Sequence, residues 1–163
     1  MNLIYIGKIV NTHGIKGEVR LLSNFEEKDL IFKEGFKVYI GSMNEEETIN
    51  TYRRHKQFDM ISFKGINDIN LVLKYKGEKV YINKDDLQLK ENEYLLEDLI
   101  GMKIVSEEEV LGVVSDIIDT KGHKLLYVTF AKNYYIPYNS YYIKQVDVRK
   151  KEIMAKNIRD LIL

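Results

Sequence analysis

Residues 3 to 22 constrain this chain more than any other stretch, because two β-patterned runs flank a turn built on glycine. Leu3, Tyr5 and Gly7 alternate with Ile4, Ile6 and Lys8, and Ile9 and Val10 extend a run that reads as a strand buried largely on both faces. Gly14 and Gly17 bracket Ile15 and Lys16, where glycine lets the backbone turn with positive φ. Glu18 to Leu22 resume the extended pattern, so the unit is strand, turn, strand. A chain that opens this way has committed to antiparallel pairing.

The rest of the first half follows the same rhythm. Residues 36–41, 47–56 and 58–64 are rich in β-branched and aromatic side chains and are separated by Gly41-Ser42-Met43-Asn44 and by Gln57. Between Asn67 and Gly77 the period changes: Ile69, Val72, Leu73 and Lys76 predict one short helix, capped by Asn67 or Asp68 and closed by Gly77. Residues 78–83 return to strand. Several strands with one helix suit a small closed barrel, which leaves no free edge.

Residues 84–97 raise the charge density and weaken the alternation, and this predicts a domain boundary there. Strands are expected again over 102–105, 110–118, 124–130, 134–137 and 143–148, and Ile158, Leu161 and Ile162 suggest a final helical turn. Pro137, the only proline, is expected at a strand edge because it cannot donate to a ladder. The fold class is therefore mainly β: two small β-barrels joined by a short linker, with one or two short helices. The expected divisions are a barrel over residues 1–88, a linker over 89–97 and a second barrel over 98–163.

Two motifs carry a resemblance. Gly7, Lys8, Ile9, His13, Gly14, Gly17, Glu18, Val19 and Arg20 form a pattern similar to the opening of the RimM family, bacterial ribosome maturation factors. Downstream, Asp98-Leu99-Ile100-Gly101, Gly112-Val113-Val114, Ile136-Pro137-Tyr138 and Val146-Asp147-Val148 resemble that family's carboxy-terminal PRC-barrel half. The resemblance implies a non-catalytic factor that binds the small ribosomal subunit through a ribosomal protein of its head and assists 16S rRNA processing and assembly. It also implies a cytoplasmic monomer without a cofactor. Related proteins often carry an aromatic pair in the linker that is associated with small-subunit binding. Here that pair falls on Tyr94 and Leu95, the second position being aliphatic.

Composition narrows the other function classes. With no cysteine, disulfides, thiolate nucleophiles and Cys-containing metal sites drop out. His13, His55 and His123 are far apart and have no ligand spacing, so no metal site is expected. Gly7-Lys8 lacks the Ser or Thr and the upstream glycine of a phosphate loop. Gly14-Ile15-Lys16-Gly17 has the form of a KH-domain loop, but it joins strands rather than helices. No nucleophile or orienting carboxylate accompanies His13, so an enzyme is not expected.

Net charge is zero, with 25 basic and 25 acidic side chains. Residues 1–90 hold 15 basic and 13 acidic groups, leaving 10 and 12 beyond, so neither half reads as a strong polyanion binder. A mildly acidic second half suits a basic protein partner. A general RNA-binding barrel is the alternative. The run Arg53-Arg54-His55-Lys56 reads first as a solvated strand or turn. The candidate partner-binding residues are Tyr94, Leu95 and Tyr138, with His13, Gly14, Lys16, Gly17 and Arg20 at the first turn. No apolar run is long enough to span a bilayer, and no membrane partner is expected.

Overall fold

The computed structural model describes all 163 residues and divides them into two compact units, Met1–Gln88 and Leu89–Leu163. No helix is long and apolar enough to cross a membrane.

The first unit is built from β1 (Leu3–His13), β2 (Glu18–Leu22), a single helical turn α1 (Lys28–Ile31), β3 (Lys37–Ile40), β4 (Glu45–His55), β5 (Phe58–Phe63) and β6 (Lys79–Asn83). The strands close into an antiparallel barrel in the order β1-β2-β5-β4-β3-β6. In a closed barrel every strand serves two partners, and the 11-residue β1 reaches both β2 and β6. Its pairing register slips between Tyr5 and Gly7 on the β6 side and between Ile9 and Asn11 on the β2 side, which is how bulges sharpen twist. Glycine is required at position 7, where a Cβ would sit 2.6 Å from the Leu22 carbonyl oxygen. Ile9, Val19, Leu21, Ile49, Ile61, Phe63 and Ile82 fill the interior and are fully buried.

The helix expected between Asn67 and Gly77 is instead two 3-10 turns, Ile69–Leu71 and Leu73–Tyr75. The Asp68 side chain accepts from the Asn70 amide to start the first turn, and Val72 both ends it and begins the second. The buried residues explain the change of type. Val72 and Tyr75 point inward, three apart, while Leu73 is half exposed. Three residues per turn stacks both on one side, and Val72, serving as the end of one turn and the start of the next, breaks the segment into two short pieces.

One end of the barrel is organised around Asp59, a fully buried carboxylate. It accepts from Lys28 Nζ at 2.8 Å, Arg54 at 3.0 Å and the Tyr52 hydroxyl at 2.6 Å. Burial and the bond to Asp59 push the Tyr52 phenol up to about 12. Phe32, just after α1, stacks on Tyr52 with ring centroids 5.1 Å apart. A buried charge is tolerable only when its lone pairs are filled in this way.

The second unit contains a 3-10 turn at Leu96–Leu99, then β7 (Lys103–Ser106), β8 (Glu109–Thr120), β9 (His123–Thr129), β10 (Tyr134–Pro137), β11 (Ile143–Asp147), β12 (Glu152–Ala155) and the terminal turn α2 (Arg159–Ile162). Its six strands form one sheet ordered β10-β9-β8-β7-β12-β11. Every pairing is antiparallel except β7 with β12. β12, which the alternation did not reveal, pairs beside a strand some fifty residues earlier. Leu99, Ile104, Val114, Leu126, Val128, Ile136 and Ile153 form the core. Gly112 sits in β8 at φ +129°, where a Cβ would come within 2.5 Å of Val128 and 2.8 Å of the Thr129 carbonyl. Pro137 closes the edge strand β10, the place expected for a residue without an amide donor.

Residues 89–97, read from sequence as a linker, pack as part of this second unit. Leu95 is fully buried, and its amide donates to the Asp98 carboxylate at 2.8 Å.

Candidate functional site

In the second unit the two sheet edges are β10 and β11, and the segment between them, residues 138–142, runs from one edge to the other. Asn139 folds this segment. Its side-chain oxygen accepts from the amides of Tyr141 and Tyr142, and its carbonyl accepts from the Ile143 amide. At one end Tyr138 is fixed by its backbone N–H, which donates to the Lys124 carbonyl at 2.9 Å. Tyr94 reaches the same place, and the two phenol oxygens lie 2.6 Å apart, one donating to the other.

A crease of about 300 Å³ opens beside this pair, lined by Tyr94, Tyr138, Asn139, Ile143, Lys144 and Val146 among others. Its walls combine apolar surface with phenol, amide and ammonium groups, and one of them is an edge strand. Such a place can take a side chain of a partner while polar groups fix its orientation. Tyr141, 61% exposed and packed edge-on against Tyr142 at 4.8 Å, adds aromatic surface on the same segment.

Of the three second-half candidates, Tyr94 and Tyr138 meet here, while Leu95 does not. A side chain with no exposed surface cannot touch a partner, so the aromatic-pair position at Leu95 is a core position in this chain. The partner that Tyr94 has instead is Tyr138, 44 residues away. Sequence marked both tyrosines separately; only the folded second unit joins them.

The five first-half candidates gather at the β1–β2 turn. Gly14 and Gly17 both have positive φ. A Cβ at Gly17 would meet Ile66 at 3.1 Å, and the Ile15 carbonyl accepts from the Ile69 amide at 3.0 Å, so the turn is seated on the first 3-10 segment. Lys16 is exposed at its tip. Behind the turn, Arg20 Nη2 lies 2.8 Å from His13 Nδ1. A guanidinium only donates, so Nδ1 accepts and the imidazole proton resides on Nε2. Glu18 is held bidentately by Arg53 at 2.8 and 2.9 Å. That hydrogen bond, more than any other influence, lowers the Glu18 carboxyl below its usual range.

Arg53, His55 and Phe58 belong to this cluster and were not among the candidates. The run Arg53-Arg54-His55-Lys56 looked like one solvated patch, but alternation along β4 sends its members apart. Arg53 turns to Glu18, and Arg54 turns to the buried Asp59. The signal present in sequence was the run itself; the partners were not.

No group of three or more histidine, aspartate or glutamate side chains is arranged to hold a metal. Burial pushes the Tyr134 phenol up to about 12, where its hydroxyl donates to the Leu111 carbonyl at 2.7 Å.

Comparison with known proteins places these features in a family. Residues 4–87 match the RimM N-terminal domain model and residues 91–162 the PRC-barrel domain model. A protein of an Exiguobacterium species, named ribosome maturation factor RimM, is 38% identical, covering 99% of this chain and 98% of that protein. One of the same name from Staphylococcus haemolyticus is 38% identical, covering 98% of each. The solution structure of the N-terminal domain of RimM from Thermus thermophilus is 25% identical over 53% of this chain and 95% of that domain, with a TM-score of 0.45.

Proposed function

The chain belongs to the RimM family, and from that premise we propose that it is a non-catalytic ribosome maturation factor. It binds the small ribosomal subunit through a ribosomal protein of the subunit head and assists 16S rRNA processing and assembly, working as a cytoplasmic monomer. The observation that carries the docking part is the crease in the second unit, where Tyr94 and Tyr138 are locked together beside the edge strand β11. The second unit has no basic excess, with 11 basic and 12 acidic side chains from Leu89 onward. Such a surface suits a basic protein better than naked RNA.

The mechanism is a shift of equilibrium. A factor that makes no covalent change can advance assembly only by binding one state of the particle more tightly than another. A partner seated in the crease holds the head in the state that presents it, and release follows when the mature contacts replace it.

The test is retention of individual purified head proteins on the immobilised full chain with RNA removed by nuclease. One basic head protein should be retained, and Gln145→Arg, which puts a further positive charge on the crease wall, should weaken that retention. Retention that requires RNA would move the reading to a general RNA-binding barrel.

A further inference from the structure

This chain has five arginines, and four of them are ion-paired: Arg53 with Glu18, Arg54 with Asp59, Arg149 with Glu91 and Arg159 with Glu107. Arg20 is the exception. Its Nη2 donates to a neutral imidazole nitrogen of His13, and its Nε is buried with no partner at all. A charged donor withheld from water without an acceptor is costly, and a methionine at this position would avoid the cost.

The Nε itself is closed to a ligand, so the surroundings describe what the outer guanidinium nitrogens would meet. Register places Arg20, Met60 and Arg53 in one row across β2, β5 and β4, and His13 with Glu18 and His55 with Phe58 in neighbouring rows. Directly paired residues, and residues two apart on a strand, share a face. One outer face therefore carries His13, Arg20, Arg53, His55 and Phe58. The two imidazoles lie 6.1 Å apart, and the Arg20 guanidinium sits 5.7 Å from the Phe58 ring. Glu18 is the carboxylate of this cluster, and Arg53 occupies both its oxygens. The exposed Lys16 lies at the glycine-flanked tip of the adjoining turn.

We infer that this face of the first unit binds a single-stranded RNA segment, with the outer guanidinium nitrogens of Arg20 forking onto a phosphodiester and the imidazoles offering planar surface to a base. Guanidinium geometry matches a phosphate bidentately. Interleaved cations and flat rings favour nucleic acid over an acidic peptide, which has no base to stack. The inference rests on the ribosomal reading above, which supplies the RNA. It adds a second, separate site on the unit that the docking crease does not use.

The experiment is anisotropy titration of the full chain with a short labelled single-stranded RNA of mixed sequence, across a series of salt concentrations. Wild type should bind at low salt and weaken as salt rises. Arg20→Met should weaken binding about tenfold and flatten the log–log salt slope by about 0.7, the signature of one lost phosphate contact on a single strand. Arg20→Lys, keeping the charge without the fork, should fall between. Lys33→Met, removing one exposed charge elsewhere on the unit, should do much less. No binding by wild type, wild-type affinity and slope in a folded Arg20→Met, or displacement of the RNA as readily by poly-glutamate as by unlabelled RNA would each overturn the inference. Because no ribosomal protein is in the cuvette, such a failure leaves the docking reading standing. Loss of head-protein retention by wild type would undo only the latter.

Discussion

The two units solve the same problem of a small β-sheet in different ways. The first closes six strands into a barrel and leaves no edge, while the second keeps β10 and β11 as edges and runs residues 138–142 between them. A closed barrel can meet a partner only through side chains on its outside, and here those gather at the β1–β2 turn. An open sheet also offers a crease and an edge strand, and there Tyr94 and Tyr138 meet. The difference teaches that closure favours rigidity around a fixed charge network, whereas the unclosed sheet keeps surface in reserve for docking.

That contrast can be broken first at Asp59, the carboxylate that organises one end of the barrel. Asp59→Ala strands Lys28 and Arg54 and removes the acceptor of Tyr52. It should cost about 3–5 kcal/mol, from three hydrogen bonds to a charged group at about 1.5–3 kcal/mol each less what the exposed ends of Lys28 and Arg54 regain from water. Hydrogen exchange read by peptide should show protection lost across β1 to β6 and kept in β7 to β12. Equal loss in both would contradict the independence of the units.

The second unit has its own weak point at Gly112. Gly112→Ala combines a disfavoured φ with overlap onto Val128 and the Thr129 carbonyl, for about 2–4 kcal/mol from strain and overpacking together. Exchange should now rise in β8 and β9 while the barrel stays protected. Gly7→Ala is the matching change in the barrel, where overlap with the Leu22 carbonyl alone predicts about 1–3 kcal/mol.

A finer probe separates the crease from its scaffold. Tyr94→Phe removes one hydroxyl of the Tyr94–Tyr138 pair and should cost about 0.5–1.5 kcal/mol in denaturant unfolding of the second unit. A loss beyond that range would mean the pair is a structural keystone rather than part of a docking wall.

The smallest effect is pH-dependent. Glu18 has its folded pKa lowered, chiefly by the Arg53 hydrogen bond. Its contribution is therefore fully present above the ordinary glutamate range, about pH 4.3, and is lost as pH falls through the lowered value. Arg53 is half exposed, so screening holds the pair to about 0.2–1 kcal/mol. The stability difference between wild type and Glu18→Gln should be visible at neutral pH and shrink on acidification to pH ~3, since both then lack the charge.

Strand positions in both halves were legible because alternation and glycine turns are local signals. β12 was not, since Ile153 and Ala155 are its only buried side chains and follow directly on the charged run Arg149 to Glu152, so only its pairing with β11 and β7 reveals it. The segment around Val72 differs from the expected helix because a spacing of three serves a 3-10 turn as well as an α-helix, and only the backbone bonds three residues apart, such as Val72 N–H to the Ile69 carbonyl, decide. The site was half legible. Tyr94, Tyr138, His13 and Arg20 were marked one by one, but the Tyr94–Tyr138 bond and the Arg53–Glu18 bond join residues 44 and 35 positions apart. Leu95 fell to the core because an aliphatic side chain beside the first residue of a tight turn had buried surface available, which no local pattern reveals.

Sedimentation of the full chain with immature and mature small subunits tests the central claim most directly, that the crease of the second unit docks on an assembling particle. The account predicts that wild type travels with immature particles and much less with mature ones, and that folded Gln145→Arg is released from both. Equal binding of wild type to both particles, or undiminished binding by Gln145→Arg, would contradict it.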